Sequence, residues 1–278
     1  MPDQPTPPAP ADLASLRVEI DRIDDALHDL LMRRSDLVAH MASARLKGSA
    51  PTFRPGREAL ILRRLLRRNQ GALARGAVVR LWREIIAASL AQQGQFTVAV
   101  SAMAGEDGVA TRLARAHFGL LTPLRAQATP FRALACVAGG EAAVAVLPAP
   151  DEAERPEPAW WMQMEAPRLR VVAALPFLAP PDAPAEGYAV ATLSPEPTGR
   201  DRSLLRIEPG PDHTRPRIAA ILAAAGLPPL WLIRRESPVP MALAEVPGFL
   251  SEDEPRLASL PFPRLQILGS YAEPEPEE

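Results

Sequence analysis

A single cysteine, Cys136, in 278 residues rules out an intrachain disulfide framework and a cysteine-based zinc site, and it fits a reducing, cytoplasmic setting. Neither sign of charge is in excess: Lys and Arg number 31 against 33 Asp and Glu, a formal net charge of -2. Nucleic-acid binding through a general surplus of basic charge is thereby excluded. No apolar run approaches the ~20 residues of a membrane span, because Arg, Glu or Pro interrupts even the Ala-rich stretches. The opening MPDQPTPPAPAD lacks the basic residues and apolar run of a secretory signal, so residues 1–11 are expected to form a disordered tail. What the chain does have is a 47% apolar content, that of a soluble globular protein, and 33 prolines. The prolines crowd at the N-terminus and after residue 147, and this asymmetry divides the chain.

From Asp12 to Leu46 there is neither proline nor glycine, and Leu13, Leu16, Ile20, Ile23, Leu27, Leu30, Leu37 and Met41 step by threes and fours. The spacing predicts one amphipathic helix, N-capped by Asp12 and stopped at Gly48, about 50 Å long at 1.5 Å per residue. An apolar stripe of that length needs partners along its whole extent, which points to a homodimer. A second helix starts near Pro55 and breaks near Gly71; a third starts after Gly76, carries the line 78, 82, 85 and 89, and ends at Gly94. Residues 12–95 are thus expected to be an all-α, three-helix domain.

Beyond Phe96, short apolar runs alternate with helical stretches, an α/β pattern over 96–200. After the loop SPEPTGRD the order becomes βαββαβ, which predicts a small ferredoxin-like module over 201–272 with helices on one face of an antiparallel sheet. The acidic end, 273–278, reads as a solvated tail.

Polar residues interrupt the helical stripes. Arg34 stands where the three-four rhythm of the first helix asks for an apolar side chain, and Arg45, eleven residues on, projects within about 20° of it. Ser89 falls on the stripe of the third helix with Gln93 one turn further, and the second helix opens with Arg54, Arg57 and Glu58. A buried polar cluster must be paired or await a ligand that pairs it. The excess here is cationic, so the ligand expected is an anion such as a dicarboxylate, which Arg forks bind bidentately.

The stretches LRVEIDRIDDALHDLLMRRSDLV, RPGRE and LWREIIAASLAQQ together resemble the all-α chorismate mutase family in order and spacing. The resemblance implies an intertwined dimer whose substrate is chorismate. It implies that Arg17 reaches the site from the other subunit and, with Arg34, binds the two substrate carboxylates. Glu58, beside Arg57, is implied to accept a hydrogen bond from the substrate hydroxyl; Ser89 pairs with Gln93, and Gln93 lies near the ether oxygen. Arg45 stands where the family commonly has a lysine donating to the ether oxygen, which keeps the charge and alters the fork. Arg54 stands where some members have an aspartate. No cofactor or metal is implied, in keeping with a unimolecular pericyclic step, and the sequence contains no HExxH motif, phosphate-binding glycine loop or catalytic triad.

The second half resembles a degenerate prephenate dehydratase followed by an ACT-like module, on VAVSAMAGEDGVATRLARAHFG, GGEAAVAVLP, GRDRSLLRIE and RRESP. Where the dehydratase family has Pro-Ile-Glu-Asn-Ser the chain has LPAPDEAE, and where it has Thr-Arg-Phe the chain runs YAVATLS. Dehydratase activity is therefore not expected. The glycine-leucine motif for aromatic amino acids is replaced by PGPDHTRPR. Trp160 and Trp161 read as cover for a domain edge, His213 as a turn residue without a visible partner, the arginines at 63, 64, 67 and 68 as a solvated helix face, and Cys136 as an inert buried thiol. The reading is a homodimeric cytoplasmic chorismate mutase. Its rivals are an isochorismate pyruvate lyase and a catalytically weak, partner-binding or regulatory subunit.

Overall fold

The computed structural model describes residues 12–45, 52–102, 108–154, 159–181 and 183–277. They fall into two compact units, divided between residues 50 and 51. The expected tail over 1–11, the helix stop at Gly48 and the side chain of Arg45 lie outside the described residues.

The first unit is a single helix, α1 (Leu13–Arg45). Asp12 Oδ1 accepts from the Ala14 amide at 3.4 Å, a long N-terminal cap. The stripe Leu13, Leu16, Ile20, Ile23, Leu27, Leu30, Leu37 and Met41 is 46 to 70% exposed. A helix keeps such a face only where something else covers it.

The second unit begins with α2 (Pro55–Arg68) and α3 (Arg75–Gln92). Pro55 starts α2 where no amide donor is needed. Ala59, Leu62 and Leu66, stepping by threes and fours, pack with Val78 of α3 and with Phe177. On α3 the expected line 78, 82, 85 and 89 is covered only in part. The buried residues shift one position, to Arg83, Ile86 and Leu90, because α3 lies between α2 and the next helix.

The mixed region follows as β1 (Val98–Ser101), α4 (Val109–Phe118), β2 (Leu124–Gln127), α5 (Pro130–Ala138), β3 (Val144–Pro148), α6 (Trp160–Gln163), β4 (Arg170–Leu175), β5 (Leu178–Ala179) and β6 (Gly187–Ala191). Then come β7 (Asp201–Glu208), α7 (Arg215–Ala224), β8 (Trp231–Arg235), β9 (Met241–Pro247), α8 (Pro255–Ala258), β10 (Arg264–Ala272) and β11 (Glu275–Pro276). The last six elements before β11 are the expected βαββαβ order, with four antiparallel neighbours ordered β10-β7-β9-β8. β1 pairs in parallel with β2 and with β3, and β6 joins β3 to β4 antiparallel. The runs VAVS and VAVL are buried on both faces, as parallel strands between helices require.

The two α/β stretches expected as 96–200 and 201–272 share one nine-stranded sheet, β2-β1-β3-β6-β4-β10-β7-β9-β8. The join is a single parallel pairing of Gly269 on β10 with Val171 on β4, at a bulge between Ile267 and Gly269. A Cβ at 269 would lie 2.6 Å from the Val171 amide nitrogen and 2.7 Å from its carbonyl carbon, so only glycine permits the approach.

Four sequence readings are corrected here. The acidic end is not wholly solvated: β11 pairs with β5, and Glu275 is buried. Its carboxylate is drawn in by Arg63, which is buried too, so only Arg64, Arg67 and Arg68 of the arginine run face solvent. Trp160 and Trp161 lie fully inside the core, their indole N–H groups donating to Pro148 O and to Glu154 Oε1. His213 does have partners: its Nδ1 accepts from the Gly210 amide at 2.9 Å and its ring meets Phe262 edge-on. Cys136 is buried.

Candidate functional site

The helical periodicity sets which polar residues face inward. Glu58 lies one turn before Leu62 on the buried face of α2, while its neighbour Arg57 is exposed. The carboxylate meets Arg83 of α3, whose Nη1 donates to Glu58 Oε2 at 2.9 Å; the two side chains are 9% and 3% exposed. The Arg83 guanidinium carbon sits 5.4 Å from the Phe177 ring centre, which helps fix its plane. Burial pushes the Glu58 carboxyl up from 4.5 to about 7 against the pull of Arg83, and burial lowers Arg83 against the pull of Glu58. His117, on α4, is held well below its ordinary range by burial and then by the Arg83 charge. Arg83 Nε and His117 Nε2 are buried without a hydrogen-bond partner among the described residues.

The other expected residues are distributed as follows. Ser89 is buried near the end of α3, its hydroxyl donating to Ile85 O at 2.7 Å, and Gln93, half-buried, donates from Nε2 to Ser89 O at 2.8 Å. Arg54 forks onto Glu196, with Nη2 2.7 Å from Oε1 and Nε 3.3 Å from Oε2. Arg17 and Arg34 lie on α1, in the other unit; Arg17 is exposed and Arg34 half-buried, with its guanidinium lowered by burial. The residues 58 and 83 are thus brought together on facing helices of one unit.

Arg83 was missed by the sequence reading, since Trp82-Arg83-Glu84 resembles the ordinary alternation of a helix flank. A signal was available: Val79, Ile86 and Leu90, at i−4, i+3 and i+7, put position 83 on a continuous apolar line. Among the described residues no group of three or more His, Cys, Asp and Glu is placed to hold a metal ion. No described helix is long and apolar enough to cross a membrane.

Three helices bearing an arginine-rich polar set thus precede a mixed α/β sheet. Residues 16–94 match the family described as "Chorismate mutase type II", so the N-terminal part of the chain carries a domain of that family. The "Bifunctional chorismate mutase/prephenate dehydratase" of Pseudomonas aeruginosa is 34% identical over 151 residues, 51% of this chain and 40% of that protein. Half of this chain is more than its first 95 residues hold, so the likeness runs on into the α/β region. The chain spans less than half the length of that curated relative. Among solved structures, the quorum-quenching acylase GqqA has 19% identity and a TM-score of 0.48 over 65% of this chain and 96% of its own. A prephenate dehydratase from Streptococcus mutans has 13% identity and a TM-score of 0.47 over 63% and 97%. At these scores the fold of this chain rests on its own strand order.

Proposed function

We propose that the chain is a cytoplasmic, homodimeric chorismate mutase that rearranges chorismate to prephenate without a cofactor. The observation that carries this reading is the family match over residues 16–94, which contains Arg17, Arg34, Arg45, Arg57, Glu58, Ser89 and Gln93. The exposed apolar stripe of α1 supports a second subunit as its cover.

In this reading Arg34 of one subunit and Arg17 of the other clamp the two carboxylates, with Arg57 and Ser89 completing the cradle. One helix cannot easily aim both 17 and 34 at one ligand, because seventeen residues leave them about 260° apart. Glu58 Oε1 accepts from the substrate hydroxyl while Oε2 stays with Arg83. The clamp holds a compact near-attack conformer in which one C–O bond breaks as a C–C bond forms, and no proton, nucleophile or metal takes part. Negative charge grows on the ether oxygen, where Arg45 and Gln93 donate; a single preorganised donor of this kind contributes roughly 10²–10³ in rate.

The test is NMR analysis of products from chorismate and the full-length protein beside Arg34→Ala. Prephenate that disappears with the variant supports the reading, and unchanged chorismate overturns it in favour of a binding subunit. Pyruvate, tested with isochorismate, would place the chain with the lyases. Phenylpyruvate is not expected, given YAVATLS at 188–194. Its appearance would make the chain bifunctional, as the name of the Pseudomonas relative describes that protein.

A further inference from the structure

A cavity of about 610 Å³ opens between α3, α4 and the residues around Phe177. That volume is within the range of small-molecule sites, roughly 300–1,000 Å³. None of the residues assigned to touch the substrate lines it, while Arg83, which holds Glu58, does. Val79, Leu113, Phe177 and Leu178 give it apolar walls.

Its floor is formed by residues that carry two of the five buried side-chain polar atoms without a hydrogen-bond partner among the described residues. Arg83 gives Nη1 to Glu58, but its Nε has no partner among the described residues, and neither does Nε2 of His117. Both residues line the cavity, with relative exposures of 3% and 7%. An unsatisfied buried donor costs about 1–3 kcal/mol, and two in one cavity wall are hard to account for as packing. A guanidinium keeps its charge, so the Nε edge calls for an anion. The imidazole, held neutral by burial and by Arg83, donates from Nε2 in one tautomer without adding charge. Two such donors are a set that one carboxylate can accept, one on each oxygen.

The mouth is different. Arg80 and Arg115 stand there against Glu84 and Glu277, so its charges balance. Arg115 is already tied to Thr122 O at 2.7 Å, and Glu84 Oε1 accepts from the Leu120 amide at 3.0 Å. The unmet demand lies at the floor alone.

We propose that this cavity binds a small apolar carboxylate, its charged end on Arg83 and His117 and its body between Phe177, Val79 and Leu178. The occupant belongs to the aryl- or alkyl-carboxylate class. Arg83 connects the cavity to Glu58, so an occupant also adjusts the electrostatics of α2.

The probe is 3-phenylpropanoate, titrated into full-length protein with isotope-labelled histidine and followed at the His117 Nε2 resonance by NMR. The chain has four histidines, and single His28→Gln, His40→Gln and His213→Gln variants assign His117 by elimination. The expected result is a saturable shift of the His117 signal, with 3-phenylpropanamide binding roughly tenfold more weakly for want of the charge-assisted bond. Ala116→Trp, at an exposed position on the wall, should abolish the shift while leaving the thermal melt unchanged, and Val79→Trp provides a second plug should the first perturb folding. No saturable shift, equal binding of acid and amide, or a shift that survives both plugs would overturn the proposal and leave the two atoms to buried water.

Discussion

Arg63 ties α2 to the far end of the chain, and removing it tests whether that tie holds the helix in place. Its Nε donates to Glu275 Oε1 at 2.6 Å, Nη1 to Thr198 Oγ1 at 2.8 Å, and Nη2 to the carbonyls of Arg200 and Glu273 at 2.9 and 2.8 Å. Arg63→Met keeps most of the aliphatic stem and removes every one of these donors. Breaking a buried pair by deleting one partner costs about 3–5 kcal/mol. Arg200 Nη1 remains 3.1 Å from Glu275 Oε1, so the carboxylate is not left bare, and the lower end of that range, about 3 kcal/mol, applies. The assay is urea unfolding of the full-length protein, with the loss read from the midpoint at unchanged slope. Replacing Glu275 by Leu in the same background should recover part of the loss, because the uncompensated charge goes with it. A loss under about 1 kcal/mol for Arg63→Met, the value of an exposed ion pair, would refute the reasoning.

Three further outcomes follow from the same geometry. Glu58 is held protonated up to about pH 7 when folded and ionises near 4.5 when unfolded, so the folded state binds the extra proton and stability contributed by this group falls as pH rises from about 4.5 to 7. Melts of wild type and Glu58→Gln from pH 5 to 8 check this; parallel curves would count against it, and a mutase that needs the ionised carboxylate should gain kcat/KM through the same range. Leu27→Glu, at a position 53% exposed on α1, should leave helicity intact and convert the proposed dimer to monomer in sedimentation equilibrium, and a dimer that persists in the variant would remove α1 from the interface. Gly269→Ala forces backbone against backbone at Val171, for which a loss of about 3 kcal/mol, or roughly 6–12 °C in melting temperature, is expected by calorimetry.

The helices were legible because their evidence is local. Leu13 to Met41 repeats at helical spacing with no proline or glycine, and Pro55 marks the start of α2. The βαββαβ order was legible for the same reason: each element announces itself over five to ten residues. What stayed hidden depends on distant partners. Arg63 reads like Arg64, Arg67 and Arg68 until Glu275 is placed beside it, and Arg83 reads as a flank residue until Glu58 arrives from the facing helix. The shared sheet turns on Gly269, one glycine inside an apolar strand, whose meaning appears only when Val171 lies against it. Of the candidate site, the residue types on α1, α2 and α3 could be read, whereas the engagement of Glu58 by Arg83 could not.

The Arg63 clamp also bears on the order in which the protein can be made. Arg63 is translated 212 positions before the carboxylate that receives it. Until that residue has left the ribosome, α2 carries a guanidinium with nowhere buried to go, and β4 lacks its neighbour β10. α2, although it emerges early, therefore waits on the end of the sheet for its final setting. Until Phe177 emerges, the apolar face of Ala59, Leu62 and Leu66 has only α3 to cover it, a natural place for a chaperone to hold the nascent chain.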